Sequence, residues 1–218
     1  MRKKTIVITG CSSGFGRLTA LALVQRDWHV FATVRKETDR ADLQAEVERA
    51  GSGDAMTVLL CDITVAEQVA TLKSQVEDIL RREMANSTKP ELDVLLNNAG
   101  TAFGGPIELL ELDDLRDQFE VNVIAQVAVT QAFLPLLKAA KGTFINVSSV
   151  SGLVASPIVG AYAASKFALE AISDALRIEL APFAVRVVLI EPTSSPTHIW
   201  QTSLDRALTR LKQYRGGD

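Results

Sequence analysis

Cysteine and histidine are scarce in this 218-residue chain, at two each: Cys11, Cys61, His29 and His198. So few thiols cannot build a disulfide framework, and no Cys or His partner stands at metal-ligand spacing from either cysteine. The expected state is reduced, cytoplasmic and without metal. Charge of one sign is missing too: 23 Lys and Arg face 26 Asp and Glu, leaving no field to gather nucleic acid or an anionic membrane surface. An unbroken bilayer-length apolar run is also lacking. The most apolar long window, residues 121–140, is interrupted by Asn122, Gln126, Gln131, Pro135 and Lys138, which suit a buried or interface helix, so no membrane span is expected. After MRKK only TIVIT precedes Gly10, shorter than the roughly 7 to 15 apolar residues of a secretory signal. What remains is ordinary: 47% hydrophobic and 22% charged residues. A chain of this size buries about 70% of its unfolded surface, and residues 1–218 are expected to form one domain.

Hydrophobic periodicity alternates along the chain. Strand-like runs fall at 5–9, 29–34, 56–61, 94–97, 143–147 and 185–190. Helix-like runs fall between them at 17–26, 41–50, 65–83, 112–140 and 162–180, and the polar stretch 84–91 reads as a surface loop. Short apolar strands without polar alternation, each followed by an amphipathic helix, predict an α/β fold: a doubly wound, Rossmann-type parallel sheet with helices on both faces. Ligands of such sheets sit beyond the carboxyl ends of the strands, so the loops after 9, 34, 61, 97, 147 and 190 are the candidate site.

The first of these loops, GCSSG at 10–14, fits two chemistries. As a hydrolase elbow it would make Ser12 a nucleophile, but only one strand precedes it, and His29 and His198 are poorly placed to serve as base. As the front of TGCSSGFG, Thr9 to Gly16, it follows a strand and opens a helix. Gly10, Gly14 and Gly16 then let the backbone turn sharply and let phosphate approach the helix N–H groups. The phosphate reading uses more of the sequence. Farther on, YAASK places Tyr162 and Lys166 one helical turn apart on the same face. An ammonium there would favour the phenolate and lower a hydroxyl that ordinarily ionises near pH 10, making it usable as a general acid or base.

The pattern Thr-Gly-x-x-x-Gly-x-Gly resembles the cofactor loop of the short-chain dehydrogenase/reductase family, and further family marks follow in order over residues 5–197. The resemblance implies that Gly10, Ser12, Ser13, Gly14, Phe15 and Gly16 surround the pyrophosphate end of a nicotinamide dinucleotide. Asp62 and Ile63 would lie by the adenine, and Asn98, Ala99 and Gly100 of NNAG would line the cofactor. It assigns catalysis to Ser149, Tyr162 and Lys166, with Ser148 the neighbouring candidate serine. Asn122 would steady a water that links Lys166 to solvent, and Tyr162 and Lys166 would also contact the cofactor, whose oxidised nicotinamide would join the Lys166 ammonium in favouring the Tyr162 phenolate. Pro192 and Thr193 match the segment beside the nicotinamide, with Thr193 where glycine is usual, which puts the local turn in question.

Val34 and Arg35 stand where an NAD enzyme usually ends its second strand with an acid, so NADP(H) is favoured, with NAD(H) left open. The loop and strand are most similar to the 17β-hydroxysteroid and retinol dehydrogenase branch, implying an apolar alcohol or carbonyl substrate and a homodimer or homotetramer. Trp200, Leu204, Leu208 and Leu211 recur at helical spacing, so 193–218 is expected to act as a substrate lid or to pack as a terminal helix. Family members continue through another helix and a seventh strand, so the C-terminal end is expected to be shortened. A non-catalytic protein that senses the dinucleotide on the same fold is the rival reading. The presence of Asn122, Ser149, Tyr162 and Lys166 favours the enzyme, while Thr193 and the short tail favour the sensor.

Overall fold

The chain enters through β1, Lys4–Ile8, whose β-branched TIVI core suits a strand flanked on both sides. It pairs in parallel with β2, Trp28–Val34, placing Ile6 opposite Val30, and with β4, Val94–Asn97, placing Ile8 opposite Leu96. β3, Met56–Leu60, lies outside β2, while β5, Thr143–Val147, and β6, Arg186–Ile190, extend the other side. The order is β3-β2-β1-β4-β5-β6, all parallel, as a doubly wound sheet requires. This computed structural model describes residues 2–83 and 89–193. Most of the expected loop 84–91 and the expected lid, apart from Thr193, lie outside the described residues, as do His198 and the tail.

Helices cover both faces. α1, Gly14–Val24, and α2, Glu37–Arg49, bring Ala20, Val24, Leu43 and Val47 onto Ile6, Ile8, Val30, Ala32 and Leu96. α3, Ala66–Glu83, and α5, Ala125–Ala140, bring Leu72, Val76, Leu80, Val129, Phe133 and Leu137 onto Val7, Phe31, Leu95 and Phe144. Alternate strand residues thus enter two separate apolar layers, which explains why the strands read as continuous apolar runs.

Three element boundaries depart from the periodic pattern for identifiable reasons. α1 begins at Gly14, earlier than the periodic run, because Gly14 and Gly16 carry no side chain and the intervening Phe15 is exposed rather than part of the buried face. α2 begins at Glu37, where Glu37 and Asp39 favour a helix N-terminus. The expected single helix 112–140 is α4, Leu112–Phe119, then a π-helical turn at Glu120–Ile124, then α5. By length and mean hydropathy of 1.5 the run Leu112–Ala140 could cross a membrane, but 44% of its apolar window is buried inside the domain. Gln118, Asn122, Gln126 and Thr130 along it are buried as well, which fits a core helix. The last helix, α6, is Gly160–Leu180.

Candidate active site

The loops leaving β1 and β4 meet where the strand order reverses. Gly10 takes φ +73° and Gly14 φ +58°, values that side chains rarely tolerate. A Cβ on Gly10 would also stand 2.8 Å from Ala99 Cα. Thr9 and Asn98 lock the two loops together. Thr9 Oγ1 accepts from the backbone N–H of Asn98 and of Ala99, both at 3.0 Å, while Asn98 Nδ2 donates to Thr9 O at 2.9 Å and Gly10 O at 3.0 Å. Ser13 precedes α1 in extended conformation without capping it, and no acid occupies the helix's first turn. The positive end of α1 therefore faces the cleft without an internal anion.

Gly16 sits beneath this turn rather than in the cleft wall, where it was expected. A Cβ there would press into Asn98 Nδ2 and Gly10 O, so its function is close packing of helix on loop. Gly16→Ala is expected to lose about 1–3 kcal/mol through overpacking, lowering the melting temperature by about 2–4 °C per kcal/mol. An unchanged melting curve would show that the turn relaxes freely.

At the other end of the cleft, Val34 is buried at the tip of β2 and Arg35 is exposed along the wall. Nearby cations differ in their commitments. Arg17 is paired with Asp42 at 2.8 Å and with Glu46, tying α1 to α2. Among the described residues Arg35 has no carboxylate partner. Asp62 and Ile63 line the same region, with Asp62 Oδ1 accepting from Thr64 N at 3.0 Å and Thr64 Oγ1 at 2.7 Å.

The third group converges from β5 and α6. β5 ends at Val147, and Ser149 follows in extended conformation, its Oγ accepting from Ser151 N at 3.1 Å. Tyr162 lies in the first turn of α6 and Lys166 in the second, and all three side chains are buried. Lys166 Nζ donates to Val147 O at 2.8 Å and stands 5.7 Å from the Tyr162 ring centre. The Lys166 ammonium alone does not lower the Tyr162 hydroxyl. Burial pushes the Tyr162 hydroxyl above its ordinary range, and its hydrogen bond with Ser149 is the opposing influence. Lys166 is the group brought down, to about 8, because complete burial outweighs the attraction of Glu170.

Pro192 and Thr193 close the wall beyond β6, where Val150 N donates to Pro192 O at 3.1 Å. Thr193 does not have a positive φ, so its own backbone does not take the conformation that glycine alone would supply. The cleft has a volume of about 700 Å³. It brings together every expected residue except Gly16 and Asn122. Asn122 stands behind the wall in the π-helical turn, its Oδ1 accepting from Thr101 N at 2.9 Å and its Nδ2 donating to Thr101 O at 3.0 Å. Sequence reasoning missed Thr9, whose hydroxyl serves two backbone donors, and the buried Gln118, Gln126 and Ser165. Among the described residues no cluster of His, Cys, Asp or Glu could hold a metal.

A parallel sheet in this strand order, a glycine turn at its switch point and a Ser, Tyr, Lys group across one cleft define a dinucleotide-binding protein of the dehydrogenase class. Residues 4–207 match the model of the short chain dehydrogenase family, and the chain belongs to that family. It is 39% identical over 210 residues to the uncharacterized oxidoreductase YusZ of Bacillus subtilis (strain 168), covering 96% of this chain and 71% of that protein. It is 42% identical over 188 residues to retinol dehydrogenase 5 of Homo sapiens, covering 86% and 55%. A solved short chain dehydrogenase from Burkholderia cenocepacia J2315, in complex with NADP, superposes with a TM-score of 0.78 at 30% identity, covering 92% of this chain and 76% of that one. The chain thus spans 55 to 71% of the length of these curated relatives.

Proposed function

We propose that the chain is an NADP(H)-preferring oxidoreductase that moves a hydride between the nicotinamide and an apolar alcohol or carbonyl compound. The observation that carries this reading is the convergence of Ser149, Tyr162 and Lys166 on the cleft that also holds the glycine turn. The residues fit a dinucleotide. Gly10 leaves room for no side chain against Ala99, and the uncapped start of α1 offers N–H groups to a pyrophosphate. Once bound, the nicotinamide supplies or accepts the hydride.

The chain's own groups handle the proton and the oxygen. In the reducing direction Ser149 donates a hydrogen bond to the carbonyl oxygen, polarising the carbon that receives the hydride. That oxygen then takes the Tyr162 proton, leaving a phenolate one helical turn from the Lys166 ammonium. Burial, which holds the phenol protonated, suits an acid in this direction. In the oxidising direction the same groups run in reverse, with the phenolate as base. The name of the human relative supports an apolar alcohol, and so do Phe103, Val121 and Val150 in the cleft wall.

Arg35 supports the preference for the 2′-phosphate, since a guanidinium without a carboxylate partner among the described residues can bond phosphate through several donors. Arg35→Ala is expected to weaken NADPH about tenfold or more and NADH less than about twofold, the loss of one charge-assisted contact. Fluorescence titration with both cofactors measures it, and equal losses would withdraw the assignment. Following absorbance at 340 nm with a panel of apolar ketones tests the reading as a whole. NADPH binding without turnover would support the sensor instead.

A further inference from the structure

Three amide side chains recur at one-turn intervals through α4, the π-helical turn and α5: Gln118, Asn122 and Gln126. All are buried, Gln118 completely. They grip alternate residues of the segment that follows β4. Gln118 Oε1 accepts from Phe103 N at 2.9 Å, and its Nε2 donates to Thr101 O at 2.8 Å. Asn122 serves both backbone groups of Thr101, and Gln126 Nε2 donates to Ala99 O. Segment 99–103 is therefore bonded as a strand is to its neighbour, with side-chain amides in place of peptide groups.

The brace joins both halves of the cleft. It begins beside the glycine turn, where Asn98 is bonded to Thr9 and Gly10. It also reaches the helix of the reactive group: Asn122 Nδ2 donates to Ser165 Oγ at 3.1 Å, and Ser165 Oγ donates to Tyr162 O at 2.7 Å. Thr101 and Phe103 line the cleft, whereas Gln118 does not. A completely buried amide is expensive to place where an apolar side chain would fill the same space, unless the backbone it serves must be held.

We propose that Gln118 is a positioning residue for the substrate side of the cleft: through Thr101 and Phe103 it fixes the wall on which the substrate rests, touching neither substrate nor dinucleotide. The inference rests on the oxidoreductase reading above.

Two variants of the full chain test it. Gln118→Met keeps length and burial but bonds to neither backbone group. Gln118→Glu keeps the acceptor for Phe103 N–H and sets a second oxygen against Thr101 O until it is protonated. In Gln118→Met the Phe103 amide, which loses its acceptor, is expected to exchange hydrogen about tenfold faster, with Leu96 in β4 unchanged. KM for a long-chain aliphatic ketone rises about tenfold, while kcat and NADPH affinity stay within about twofold. The Gln118→Glu variant regains its KM between about pH 8 and about pH 5 as the carboxyl takes a proton, and Gln118→Met does not. Unchanged exchange at the Phe103 amide would overturn the brace. Parallel loss of kcat and NADPH affinity would overturn the positioning role in favour of general loosening. A wild-type chain that binds NADPH but reduces no ketone would remove the oxidoreductase reading and the substrate part of this proposal with it, while exchange would still decide the brace.

Discussion

Tyr162→Phe is expected to abolish turnover, by about 10² to 10⁴-fold, while NADPH affinity stays within about twofold. The substitution removes one hydroxyl and leaves the ring in place, so the packing around the first turn of α6 survives. What disappears is the phenolic proton positioned beside Ser149 for the substrate oxygen. Ser149 remains as a hydrogen-bond donor but cannot replace it, because a serine hydroxyl is far too weak an acid to give up its proton at neutral pH. The physical state of the phenol sharpens the expectation. Burial holds it protonated above its ordinary range, so reduction should persist across neutral pH, and oxidation should rise with pH as the phenolate forms. Stopped-flow absorbance at 340 nm together with an NADPH titration measures both halves. Retained turnover with an intact binding curve would take Tyr162 out of its assigned role.

Much of this site was legible in the sequence because its signals are local. Gly10, Gly14 and the start of α1 lie within five residues of one another, and Tyr162 and Lys166 within one helical turn, so spacing alone places them. The doubly wound parallel sheet was legible as well, since apolar runs without alternation require a sheet covered on both faces. The phenol's electrostatics were not. Spacing shows that an ammonium is near Tyr162, but only burial decides which partner shifts, and burial is set by β5 and by the turn after it. Gln118 was equally silent. A glutamine in an amphipathic helix reads as exposed, and its two partners lie in a loop that only the fold brings alongside. Thr193 was misleading in the other direction: a missing glycine raised doubt about a position whose φ is not positive.

Lys166→Met is expected to raise the thermal stability of the chain while eliminating turnover. The Lys166 ammonium is buried, and its pKa falls from 10.5 to about 8. Below pH 8 both folded and unfolded chains carry the charge, so the folded state bears the full burial penalty, on the order of 3 kcal/mol at about 1.4 kcal/mol per pKa unit. Between about pH 8 and about pH 10.5 the unfolded chain still binds the proton that the folded chain has released, so stability rises with pH and the penalty fades. Methionine removes the charge at every pH and keeps most of the packing. It forfeits the hydrogen bond to Val147 O, worth about 1 kcal/mol, and leaves Glu170 without the nearby cation. The net gain near pH 7 is about 1–2 kcal/mol, a rise of several degrees in melting temperature, and it should shrink as pH approaches 10. Melting curves of both proteins at a series of pH values measure it. A lower melting temperature for Lys166→Met at pH 7 would mean that Glu170 and Val147 outweigh burial, leaving the lysine as a structural pin. A rise that fades with pH would identify a cation kept inside the fold at the expense of stability, which is the behaviour of a residue retained for chemistry.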